Sequence, residues 1–243
     1  MNPIIQSLFD RKSVRVFQDK PVSQENVNLI IDAGIQAPSA GNQQLYTILH
    51  IQDQGIKDSL SVLCDNQPFI AKAPVVLVFL ADCRRWLDCY RYAGTEARRP
   101  GPGDLILAIQ DALIAAQNTV TAAESLGLGS CYIGDIMENR EKLTALLSLD
   151  PLVFPATLVV YGYPSDSQVK RPKPPRPRRD FIVQTDRYSP LSEEALRTLH
   201  GELNPQPGYD FDGAITAFCL RKYASDFARE LNRSAGEYLK EFI

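Results

Sequence analysis

Only two histidines, His50 and His200, occur in 243 residues. Neither a histidine-based catalytic triad nor a histidine-ligated metal centre has much material to work with. The five cysteines, at positions 64, 83, 89, 131 and 219, form an odd set without CxxC spacing. A disulfide framework is not expected, and reduced thiols in a cytoplasm fit better. No apolar run approaches the ~18 residues of a bilayer span. Residues 1–10 lack a basic stretch followed by a long apolar core, so no signal peptide is expected. The formal net charge of -3 gives no bulk attraction to nucleic acid or to an anionic membrane. There is no internal repeat. Against these absences, 44% apolar and 23% charged residues make an ordinary composition that can bury a core, in one large domain or two small ones.

Periodicity places the elements. Ser23 has the chemistry of a helix N-cap, and Val27, Ile30, Ile31 and Gly34 mark one helical face that should stop before Pro38. Strands are expected at 46–51, 74–81, 130–133 and 156–163, the second and last being continuous apolar runs of the kind buried on both faces. Helices are expected at 55–64, 104–126, 138–147 and 192–199, and a long terminal helix from about Asp212 to Lys240. The helix at 104–126 carries Ala108, Ala112, Ala115, Ala116, Thr119, Ala122 and Ala123, small residues suited to close packing in the core and at a subunit interface. Residues 82–103, with Trp86, Tyr90 and Tyr92 among arginines, read as an excursion or lid. The proline-rich basic stretch 164–180 should be extended. The expected organisation is a core over 1–203, with linker and terminal helix at 204–243 belonging to the same domain.

Two short stretches near the N-terminus carry the chemistry. Arg11-Lys12-Ser13-Val14-Arg15 packs three cations and a hydroxyl into five positions, which suits a phosphate. Pro38-Ser39-Ala40-Gly41-Asn42-Gln43-Gln44 is a small polar turn rich in amide and hydroxyl groups, able to lie against a flat polar ring. Taken alone, the first is more simply a solvated basic start to a domain. With Gln67 ahead of Phe69-Ile70-Ala71-Lys72-Ala73-Pro74, then Ala122 to Gly129 followed by Tyr132-Ile133-Gly134, then Arg171 to Arg179 leading to Tyr188, the motifs run in register along nearly the whole chain. In this order they resemble the nitroreductase family, in the branch of oxygen-insensitive NADPH nitroreductases and flavin reductases.

The resemblance implies an α+β fold with a central, mostly antiparallel mixed sheet flanked by helices. It implies an intertwined homodimer, with FMN at the interface and the terminal helix wrapping the partner. Arg11, Arg15 and Arg176 would hold the FMN phosphate, with Lys12 and Ser13 nearby. Pro38, Ser39, Ala40, Asn42 and Gln44 would come from the partner subunit to the ribityl chain and ring. Gln67 would contact the ribityl or pyrimidine side, the backbone of Ile133, Gly134 and Asp135 would face the flavin N5 region, and Lys173 would sit near the phosphate or the pyrimidine carbonyl. No side chain is expected to act as a nucleophile, because the flavin carries the chemistry. NADH or NADPH would reduce it, and small-molecule acceptors (nitroaromatics, quinones or flavins) would reoxidise it in a two-electron ping-pong cycle. Nucleic acid and membrane are not expected partners.

This chain departs from that pattern twice. The family's Lys-Pro-Arg is stretched to Lys173-Pro-Pro-Arg176, and Asp210 to Ile215 stands where NADPH-dependent members carry a basic loop. A carboxylate pair there would repel a 2′-phosphate, which keeps NADH open as donor. The alternatives are a non-redox FMN carrier or sensor, another flavin reaction such as dehalogenation or an oxidase step, and, least favoured, a non-flavin protein binding through the basic proline-rich segment.

Overall fold

The structure is a computed structural model describing residues 1–243. Helices α1 (Pro3–Asp10) and α2 (Gln24–Ile35) both begin on side-chain caps. Asn2 accepts from Ile5 N at 2.9 Å and Ser23 from Asn26 N at 3.2 Å, so each satisfies a first-turn N–H that the helix itself leaves free. Strand β1 (Tyr46–His50), helices α3 (Gln54–Leu63) and α4 (Pro68–Lys72) and strand β2 (Val75–Asp82) follow. Then come α5 (Arg84–Tyr92), α6 (Pro102–Ser125), β3 (Gly129–Ile133), α7 (Arg140–Leu147), β4 (Val153–Gly162) and α8 (Asp166–Lys170).

The strands form one sheet in the order β1-β2-β4-β3, and every neighbouring pair is antiparallel. The parallel component of the expected mixed sheet is a single bridge, Ser13 to Ser130. Between Phe79 and Leu80 the β2–β4 register shifts, so that Leu80 pairs with Pro155; a proline has no N–H for the ladder, and the irregularity accommodates it. As the apolar runs predict, β2 is covered on both sides. Val75, Leu77 and Phe79 face a core shared with residues of α2 and α6, and Val76, Val78 and Leu80 face a second core with residues of α3 and α7.

Helix α6 is the central support. Ala108, Ala112, Ala115, Ala116 and Ala123 are buried, and their small side chains let the helix lie close against the sheet. Thr119 Oγ1 and the buried Tyr161 hydroxyl bond to each other at 2.6 Å. By length and composition α6 is apolar enough to cross a membrane, although no uninterrupted apolar run had marked it as such; in the structure it is a core helix.

The chain divides into two compact units, Met1–Arg171 with Glu230–Ile243, and Pro172–Arg229. The second unit holds α9 (Glu193–Leu203) and α10 (Phe211–Lys222), and helix α11 (Asp226–Leu239) begins in it. The single terminal helix expected over 212–240 is therefore two helices. The break has a local cause: Ser225 Oγ accepts from Ala228 N at 3.3 Å, a new N-cap followed by Asp226 in the first turn. The far end of α11 packs on its own chain. Ser234 Oγ donates to Met137 O at 2.6 Å and accepts from Arg140 N at 2.9 Å, and Tyr238 packs edge-on against Phe154. The excursion at 82–103 is also tied down. Trp86 and Leu87 pack on the core, and Arg98 pairs with Asp104.

Candidate functional site

The basic segment lies along the β3 edge of the sheet. Val14 N donates to Ser130 O at 2.8 Å and Gln18 N to Tyr163 O at 2.8 Å. Two glycines make this seating possible. A Cβ on Gly129 would come within 2.4 Å of Val14 Cγ2, and one on Gly162 within 2.7 Å of Phe17 Cδ1, distances at which one of the atoms must move. The edge therefore sets where Arg11 and Arg15 emerge.

Around this segment lie four cations that form no ion pair, Arg11, Lys12, Arg15 and Arg171. Arg171 donates from Nη2 to Ser13 O. Arg11 Nη1, Arg171 Nε and Ser130 Oγ are buried without a hydrogen-bond partner. Burial raises the pKa of Cys131, with Arg15, Ser13 and Arg11 pulling the other way; Tyr132 is pushed up to about 12 by burial, again against Arg11. Both arginines therefore stand beside the Cys131–Tyr132 strand. Arg15 also lies over the Phe69 ring, 5.8 Å from its centroid. Uncompensated guanidinium groups with unspent donors fit a phosphate, which accepts planar, paired hydrogen bonds. Lys12 is different. Its ammonium donates to Val169 O at 2.8 Å and to Arg171 O, so it ties the segment to the end of α8.

The same edge continues into Gly134 and Asp135. Gly134 is exposed, and a Cβ there would meet nothing within 4 Å, so its backbone is open to a flat ligand. Gln67 donates from Nε2 to Cys64 O at 2.9 Å and to Asp135 Oδ2. With both directions of its NH2 group used, Gln67 offers its Oε1 acceptor. Beside this pair lies Glu138, buried, with Oε1 lacking any partner. Burial and the charges of Asp135, Asp65 and Glu230 push its pKa up to about 7.

The polar turn is elsewhere. Ser39 to Gln44 precedes β1, at the opposite edge of the sheet from β3. Three inter-strand spacings, about 14 Å, separate the two edges. Within the turn Gln44 N donates to Ser39 Oγ at 3.0 Å and Gln44 Nε2 to Asn42 Oδ1 at 2.7 Å. Helix α5 holds its carbonyls: Arg85 Nη1 donates to Gln44 O at 3.1 Å and Trp86 Nε1 to Gln43 O at 2.9 Å. One chain thus presents the two halves of the expected site facing different places.

A family model described as Nitroreductase family matches residues 8–163. The chain belongs to the nitroreductase family. It is 38% identical over 182 residues, 72% of this chain and 72% of that protein, to FMN reductase (NAD(P)H) of Bacillus subtilis. It is 34% identical over 196 residues, 81% of this chain and 79% of the other, to the oxygen-insensitive NADPH nitroreductase of Salmonella typhimurium. Among solved structures, NfrA2 of B. megaterium aligns at a TM-score of 0.82 and 28% identity over 98% of each chain. The helices packed on an antiparallel sheet are the α+β nitroreductase fold.

Measured against the expected roles, the structure gathers Arg11, Ser13 and Arg15 at one edge and Gln67, Ile133, Gly134 and Asp135 along it. It sets Pro38, Ser39, Ala40, Asn42 and Gln44 apart. Lys173 and Arg176 belong to the second unit. In the same unit, Asp212 pairs with Arg197 at 2.9 Å and Asp210 caps α10 through Gly213 N at 3.0 Å, so both carboxylates expected to repel a 2′-phosphate already have partners. Two residues escaped the sequence reading. Arg171 reaches the basic segment, and its signal was present: Arg171-Pro172-Lys173 keeps the spacing of the family's Lys-Pro-Arg with the cations exchanged. Asp111 is the other. It sits on the buried alanine face of α6, where a carboxylate needs partners.

Proposed function

We propose that this nitroreductase-family protein is an FMN-dependent NAD(P)H oxidoreductase that reduces small-molecule acceptors such as nitroaromatics, quinones or flavins. The observation that carries the reading is the group of Arg11, Arg15 and Arg171 at the β3 edge, which form no ion pair and leave buried N–H donors of Arg11 and Arg171 unpaired. These guanidinium groups hold the phosphate. Gln67 accepts from a ring or ribityl donor, and the open backbone at Gly134 lets a flat ring approach. When bound, the flavin supplies reversible two-electron chemistry between the nicotinamide donor and the acceptor. Donor and acceptor use the same open face in turn, which gives ping-pong kinetics. No histidine or nucleophile is required.

The protein works as a homodimer. A turn about 14 Å from the cationic edge does not complete a site in its own chain, and a second copy supplies it. Ile106, Leu107, Leu113 and Ile114 lie exposed on one face of α6, and Ile4, Ile5, Leu8 and Phe9 lie exposed on α1. Apolar side chains grouped in this way favour burial against another protein surface.

The visible spectrum of purified protein, recorded anaerobically before and after NADH or NADPH, tests the function. Flavin bands that bleach on addition support it, and the faster donor identifies the preferred nicotinamide. Bands that persist favour a carrier. A colourless protein that cannot be reconstituted with FMN rules the reading out.

A further inference from the structure

The Ser39–Gln44 turn adopts a backbone that would not hold itself. Gly41, Asn42 and Gln44 have φ of 57°, 56° and 47°, and only the glycine takes the left-handed region without strain. Its internal hydrogen bonds are Asn42 N to Ser39 O at 3.2 Å, Gln43 N to Ala40 O at 3.1 Å, and the Ser39 hydroxyl and Gln44–Asn42 side-chain bonds already described. The two ends are closed from outside. Asp111 Oδ1 accepts from Ala40 N at 2.9 Å and Oδ2 from Leu45 N at 3.1 Å. Asp111 is 3% exposed and belongs to no ion pair, so these backbone donors are what its charge has. Bonds to an ionised acceptor are the stronger kind.

We propose that Asp111 is a positioning residue for cofactor binding: its carboxylate clamps both ends of the turn, so that Ser39, Asn42 and Gln44 stand in their binding conformations before the ligand arrives. The proposal rests on the reading that this turn meets a flavin. Helix α5 holds the carbonyls of Gln43 and Gln44 and α6 holds the N–H groups at both ends, while Asn42 between them is exposed. A ligand then meets an ordered surface and does not spend affinity on ordering it. The Tyr46 side chain is adjacent: it donates to Gly34 O at 3.2 Å, and its pKa is raised by burial and then by the Asp111 charge.

The test is Asp111→Asn in the full chain. Asparagine has nearly the same shape but one acceptor, and its NH2 group then faces a backbone N–H. Two measurements are needed: hydrogen exchange of the 38–46 segment in the flavin-free protein, and the Kd for FMN. The expected result is faster exchange at Ala40 and Leu45, with β2 and β4 still protected, and at least tenfold weaker FMN binding. Faster exchange with an unchanged Kd overturns the proposal while leaving the flavin reading intact. Unchanged exchange at the turn overturns it as well. Loss of protection throughout β2 and β4 makes Asp111 a merely structural residue and also overturns it. Failure of the wild-type protein to bind FMN sinks the flavin reading itself, and the exchange data then still report whether Asp111 holds the turn.

Discussion

The two edges of the sheet handle polar groups in opposite ways. At the β1 edge the Ser39–Gln44 turn is strained but held by its own protein, with Asp111, Arg85 and Trp86 each occupying a backbone group. At the β3 edge the segment from Arg11 to Arg15 sits on a regular backbone seat, yet its cations form no ion pair and N–H donors of Arg11 and Arg171 are buried without partners. One edge has its backbone groups held by the chain itself, and the other leaves buried donors unpaired. A site assembled from both needs no mobile parts, since shape comes from the first and charge from the second.

Removing charge at the β3 edge should have the largest effect. The double variant Arg11→Gln/Arg171→Gln takes two charge-assisted donors from the phosphate. At about 1.5–3 kcal/mol each, the loss in FMN affinity should reach a hundredfold or more, read by flavin fluorescence titration. An affinity within threefold of wild type would remove these residues from the phosphate site.

A sharper separation of the edges comes from mixing subunits. A chain carrying Arg11→Gln/Arg171→Gln and a chain carrying Ser39→Ala/Asn42→Ala/Gln44→Ala should each bind flavin poorly as homodimers. Co-expressed with different tags and purified through both, the mixed dimer should retain one intact site and bind about one FMN per dimer, as expected for two-fold subunits that share sites. A mixed dimer as poor as its parents would show that each chain builds its site alone.

Steric disruption of the seat should be milder and should not touch charge. Gly129→Ala brings a methyl against Val14, and the overpacking should cost about 1–3 kcal/mol of stability together with several-fold weaker FMN binding. Denaturant unfolding with and without FMN checks both. A variant as stable as wild type would mean that the segment shifts freely on the edge.

The smallest effect concerns Glu138, beside the Gln67–Asp135 pair. Its folded pKa of about 7 stands above the ordinary 4.5, so the folded state holds this proton more tightly than the unfolded chain. The stability it contributes is complete below pH 4.5 and declines as pH rises to about 7. Glu138→Gln should therefore be more stable than wild type at pH 8, by about 1–2 kcal/mol, and close to it at pH 4. Equal melting temperatures at both pH values would show that the carboxyl is solvated.

Much of this protein was legible before folding was considered. Most helices and strands followed from periodicity, although α5 lies in the stretch read as an excursion and α8 in the stretch read as extended, and β2 could be read as doubly covered because Val75 to Ala81 has no polar position. The basic segment and the polar turn stood out by composition, but the basic segment gained meaning only beside the motifs that follow it in register. The break after Tyr223 was also readable, since Ser225-Asp226 is a helix start, but the apolar spacing across it obscured the signal. Arg171 had a readable signal in Arg171-Pro172-Lys173, whereas Asp111 had none, because its importance lies in a partner 66 positions away. No local pattern encodes which backbone N–H a buried carboxylate will meet.

The division between sequence and structure follows from the range of the forces. The sequence by itself determined which segments are helix or strand, which face of each is apolar, where cations and amides cluster, and the absence of material for histidine chemistry, because these depend on neighbours a few residues apart. Only the tertiary structure decided that the cationic segment and the polar turn lie at opposite edges of one sheet, that Gly129 and Gly162 admit the segment so closely, and that Asp111 closes the turn. Those facts depend on strand order and on packing between residues remote in the chain, where a single side chain is placed by the whole core around it.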